Sequence, residues 1–101
     1  MKETELLQLL EQAVEKLSIT LEYDDLRKGA INTTGGAFVL RGERHILLHK
    51  HLAVDEKVEL LSEILSTMDT ESLHLAPVLR HKIELAGEKL TTQQSSSANA
   101  S

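Results

Sequence analysis

The chain has 101 residues, a net charge of −5, no cysteine, and only one Phe and one Tyr. That length allows a single domain, with a core drawn from Leu, Val and Ile. The missing cysteines exclude disulfides, thiolate nucleophiles and Cys-containing metal sites, and they favour a reducing, cytoplasmic setting.

The N-terminus Met1-Lys2-Glu3-Thr4-Glu5 is acidic and leads directly into an amphipathic pattern. It lacks the apolar run of a signal peptide, and no segment has the length of a membrane span, so neither export nor a membrane is expected. Residues 3–17 read as a helix, with Leu6, Leu10, Ala13 and Leu17 on one stripe widened by Leu7, Leu9 and Val14. Glu3 and Glu5 suit the positive end of its dipole and Lys16 the negative end. Ile19-Thr20-Leu21-Glu22-Tyr23 alternates strictly, as a half-buried strand does. Residues 24–36, with Gly29, Asn32, Gly35 and Gly36, read as a long loop.

Two β-rich runs, 37–40 and 45–48, flank Arg41-Gly42-Glu43-Arg44. A two-residue turn with Gly42 first predicts a type II′ hairpin that pairs Leu40 with His45 and Phe38 with Leu47. One face then holds Ala37, Val39, Ile46 and Leu48, and the other holds Phe38, Leu40 and Leu47 with His45 and His49. Neither face is cleanly polar, so the hairpin wants cover on both sides. Residues 55–68 read as a second amphipathic helix on Val54, Val58, Leu61, Leu65 and Met68, with Asp55 and Glu56 where a cap or first-turn acid belongs. Pro77 is placed to open a third helix, with Leu79, Ile83, Ala86 and Leu90 as its stripe. The polar run 91–101 has no large apolar residue to repay the entropy of ordering and is expected to be disordered.

Candidate chemistry is sparse. His45, His49 and His51 suggest a metal cluster, but on a strand His45 and His49 lie about 13 Å apart, too far to share one ion. Only His49 and His51 could share a metal, and they would need a third ligand such as His74, Asp55 or Glu56. Gly35-Gly36 precedes a strand rather than a helix, which is the wrong context for a phosphate loop. Between Leu26 and His51, five cations (Arg27, Lys28, Arg41, Arg44 and Lys50) face Glu43 alone, a local +4 that leaves −9 for the rest. Arg41, Arg44 and Lys50 thus form a candidate basic patch for an acidic partner, or else protect the hairpin edge. The overall negative charge and the lack of aromatic stacking platforms argue against nucleic acid. The carboxylates fall on solvated helix faces, and Ser62, Ser66 and Ser72 lack a nucleophile context.

A hairpin followed by an amphipathic helix resembles the core of small bacterial zinc peptidases that cleave repressors. In that family the helix carries H-E-x-x-H, whereas here it reads Leu60-Leu61-Ser62-Glu63-Ile64-Leu65. Without the histidines, the resemblance implies no zinc chemistry for this chain.

The expected fold is α+β, in the order α-β-β-β-α-α. A small three-stranded, mostly antiparallel sheet is joined by three helices in one domain over 1–90. The expected function is a non-catalytic interaction or homodimerisation module with no cofactor, acting through Phe38, Leu40, Leu47, His45 and His49. Its partner is itself or another protein. The alternative is a small-ligand or metal-binding protein, conceivably an enzyme, using His49, His51 and the 24–36 loop.

Overall fold

The computed structural model describes residues 2–26 and 34–100, with side chains as far as Leu90. Its elements run α1 (Glu3–Lys16), β1 (Thr20–Asp24), β2 (Gly35–Leu40), β3 (Glu43–His49), α2 (Val54–Ser66) and α3 (Pro77–Ala100). The fold is α+β, in the expected order. The expected disorder of 91–101 falls on residues outside those described to the side chain. Of the 24–36 loop, residues 27–33 lie outside the described residues, and Arg27 and Lys28 with them.

Each helix owes its ends to local chemistry. Helix α1 begins with Glu3 and Glu5 in its first turn and closes where Ser18 takes φ 60, the left-handed conformation that usually ends a helix at glycine. Helix α2 opens with the Glu56 carboxylate accepting the Ala53 N–H at 3.1 Å, which satisfies one free amide of the first turn. Pro77 starts α3, where its missing N–H costs nothing. Gly87 leaves that helix unbroken. A Cβ there would lie 3.2 Å from Ser66 Cβ, so its bareness lets α3 approach α2.

The sheet order is β1-β3-β2. Strand β3 runs antiparallel to β2 and parallel to β1, so the sheet is mixed rather than nearly all antiparallel. The hairpin turn is Arg41-Gly42, not Gly42-Glu43. Both residues have positive φ, 52 and 80, as a type I′ turn requires, and Leu40 faces Glu43 across it. The register is thus shifted by two residues from the one expected. Phe38 opposes His45 and Ala37 opposes Ile46. A shift of two preserves the alternation of side chains, so the membership of each face is unchanged. Strand β2 also begins at Gly35, two residues before the expected start.

All three helices contribute to one core on the Ile46 and Leu48 side of the sheet. It joins Leu6, Leu10 and Val14 of α1, Val58, Leu61 and Leu65 of α2, Leu79 and Ile83 of α3, and Ile19. Helix α2 packs between α1 and α3. Ser62 is buried in this core with its hydroxyl satisfied, donating to the Val58 carbonyl at 2.7 Å. Lys82 and Lys89 of α3 both reach the Glu59 carboxylate of α2, at 2.7 and 3.2 Å.

Candidate interaction surface

The side of the sheet turned away from the core carries Thr20, Glu22 and Asp24 from β1, His45, Leu47 and His49 from β3, and Gly36, Phe38 and Leu40 from β2. No described element packs over Phe38 and Leu40, which are 45 and 54 % exposed. Leu47 is half-buried between its neighbours. The His45 ring stacks on Phe38, with centroids 5.2 Å apart and planes 8° from parallel, so two planar rings form one platform. Four of the five expected surface residues therefore share this open face.

The fifth, His49, is placed differently. It is 1 % exposed, and its Nδ1 accepts the Leu26 N–H at 3.1 Å. Asp25 Oδ1 lies 3.8 Å from the same nitrogen, and the His51 ring meets it edge-on at 5.3 Å. With one ring nitrogen already serving a backbone amide, His49 ties the end of β1 to β3. Among the described residues, no group of three His, Asp or Glu side chains could hold a metal ion.

The candidate basic patch is spread out. Arg41 lies in the turn and is exposed. Arg44 lies on the opposite face from Phe38 and donates to the Leu17 carbonyl at 2.7 Å, fastening β3 to the C-terminal end of α1. Lys50 lies beyond the far end of β3. The structure brings Arg41 and Arg44 to one end of the hairpin and leaves Lys50 at the other.

Strand β2 is the outer strand of the sheet, and Val39 on its core-side face is 67 % exposed. Phe38, Val39 and Leu40 are thus consecutive exposed apolar residues on an edge that no other described strand pairs with. A cavity of about 150 Å³ beside them, lined by Ala37, Val39, Arg44 and Met68 among others, shows that the helices stop short of covering this strand. The Thr34–His49 backbone bond fixes which groups point where. Residues 34, 36, 38 and 40 turn their amides and carbonyls toward β3, whereas Ala37 and Val39 turn theirs outward.

The sequence leaves two apolar faces on the hairpin and does not announce which one is open, nor the exposure of Val39, which belongs to the face the core uses. The deciding signal is positional: an edge strand at the margin of the helical layer keeps neither face. Gly35 is the other missed position. Its φ is +138, and a Cβ there would collide with the Leu47 carbonyl oxygen, so it serves the close approach of β2 to β3 rather than a turn.

No protein-family model, curated protein or solved structure matches the chain. Among the described residues, no helix is long and apolar enough to cross a membrane.

Proposed function

We propose that this chain is a non-catalytic protein-interaction module of the cytoplasm that binds through β2 and the adjoining open face. The observation that carries the reading is the run Phe38-Val39-Leu40, apolar and exposed along an edge strand. Soluble chains usually guard such an edge with charge, proline or a covering loop, because it offers both hydrogen-bonding groups and oily surface to another chain. Strand β2 has neither charge nor proline from Gly35 to Leu40. A bound chain supplies the missing cover.

The test is photo-crosslinking in the source cell, with a crosslinking residue at position 40 and a control at Glu15, exposed on α1. A discrete adduct at position 40, absent at position 15 and lost on Leu47→Asp, supports the reading. The same low adduct level at both positions rejects it.

A further inference from the structure

We infer that the occupant of the β2 edge is a second copy of this chain. The two β2 strands pair antiparallel about a two-fold axis through Phe38, giving one six-stranded sheet. This deepens the proposed interaction function and rests on it. Beyond Gly35, the outward-pointing backbone groups of β2 belong to Ala37 and Val39, which lie symmetrically about Phe38. Pairing about that residue sets Ala37 opposite the partner's Val39 and Val39 opposite the partner's Ala37, so the four donors and four acceptors of these residues are satisfied together.

The side chains agree with that register. Each large residue meets a small one. Val39 faces Ala37, and Leu40 faces Gly36, where a Cβ would have no atom within 4 Å and the space above the strand is open. The exception is Phe38, which meets its own copy as a non-hydrogen-bonded pair, the closer kind of cross-strand neighbour. With His45 stacked on each Phe38, the open face gains a row of four rings across the two-fold axis.

Charge fits as well. Thr34, just before β2, lines a cavity of about 250 Å³ with Leu52, Leu60 and the acids Glu56, Glu59 and Glu63 of α2. Arg41 lies at the opposite end of the same strand. Antiparallel pairing brings Arg41 of each copy opposite Gly35 of the other, beside that acidic row. Among the described residues Glu63 forms no ion pair of its own, whereas Glu59 is already held by Lys82 and Lys89. A stable interface buries about 1,200 Å² or more, which a short strand pair does not reach alone. The same operation sets the two α2 helices beneath one sheet, where Leu60 and the acidic row add to the contact.

The chain has no cysteine, so single cysteines report the register directly. In the proposed pairing the two Phe38→Cys positions have Cα atoms about 4.5 Å apart, within disulfide reach. The two Leu40→Cys positions, on the same face, are about 13 Å apart. Under mild oxidation Phe38→Cys should form covalent dimer at least tenfold faster than Leu40→Cys. Because Phe38→Cys removes the central ring, a second pair keeps it. Ala37→Cys chains mixed with Val39→Cys chains should crosslink to each other faster than either does to itself. Equal rates in both comparisons, or a wild-type chain that sediments as a monomer at the highest concentration reached, overturn the pairing. If the in-cell adduct at position 40 persists in that case, the interaction module stands with a different partner. If the adduct is missing too, both readings fall.

Discussion

The two edges of this sheet are built differently. Strand β1 exposes Thr20, Glu22 and Asp24 on one face and turns Leu21 and Tyr23 into the helices on the other. Its side chains are also fastened. The Tyr23 hydroxyl donates to Glu11 of α1 at 2.6 Å, and the Lys57 ammonium of α2 lies 5.0 Å from the centre of the same ring. Strand β2 carries no charge between Gly35 and Leu40, and its ladder with β3 is what holds it. One edge is finished within the chain and repels strand addition; on the other, among the described residues, the outward backbone groups of Ala37 and Val39 and the oily side chains beside them are still to be used. The contrast locates both the stability of the monomer and its capacity to bind, at opposite margins of a three-stranded sheet.

If the finished side carries the stability, the greatest damage should come from the residue that joins it to the core. Leu48 is fully buried and faces Tyr23 across the β1–β3 pairing. Leu48→Ala should cost about 2–5 kcal/mol, read as a lower urea midpoint with an unchanged slope. A loss under about 1 kcal/mol would show that the sheet is not where the helices anchor, and the contrast between edges would lose its meaning.

Much of this architecture is legible in the residues themselves. The helical stripes through Leu10, Leu61 and Ile83 announce which faces are buried, and the alternation from Ile19 to Tyr23 announces β1. The hairpin is legible too, though its exact turn is not. Gly42 is compatible with type II′ at the first position and type I′ at the second, and only the φ of Arg41 separates them. The strand order is not written locally, because the parallel contact of β1 with β3 joins residues 25 positions apart, Thr20 with His45. His49 looked like a surface residue because nothing nearby in sequence announces that Leu26 would fold onto its ring. In the same way, the polar identity of Ser62 hides its burial until the Val58 carbonyl is seen to take its proton.

The next largest effect should sharpen the account of how β2 is held. Gly35 has no room for a side chain, while Gly36, its neighbour, has open space. Gly35→Ala should therefore cost about 1–3 kcal/mol, through positive φ and the clash with the Leu47 carbonyl. Gly36→Ala should be neutral or stabilise by about 0.4–1 kcal/mol by restricting the unfolded chain. Thermal unfolding of the two variants side by side checks this. Equal effects would mean that β2 floats against β3 instead of being pressed to it. In the proposed dimer Gly36→Ala also narrows the space for the partner's Leu40, so its association should weaken even as its fold is kept.

The smallest effect tests the finished edge. Tyr23→Phe removes the hydroxyl bonded to Glu11 and should cost about 1 kcal/mol at neutral pH. Its pH dependence is more telling. Burial, then the hydrogen bond to Glu11 and that residue's charge, push the Tyr23 phenol well above its ordinary value of 10.0. The folded chain thus keeps a proton that the unfolded chain gives up. The contribution is whole below pH 10 and falls as the pH rises from there toward the raised folded value. Denaturant unfolding of wild type and variant should show a gap that is constant through neutrality and narrows above pH 10. A gap that stays fixed, or widens, in alkali would mean that the Tyr23 proton is not held by α1. The β1 edge would then owe its closure to the charges of Glu22 and Asp24 alone, and those charges, unlike a buried hydrogen bond, weaken with salt.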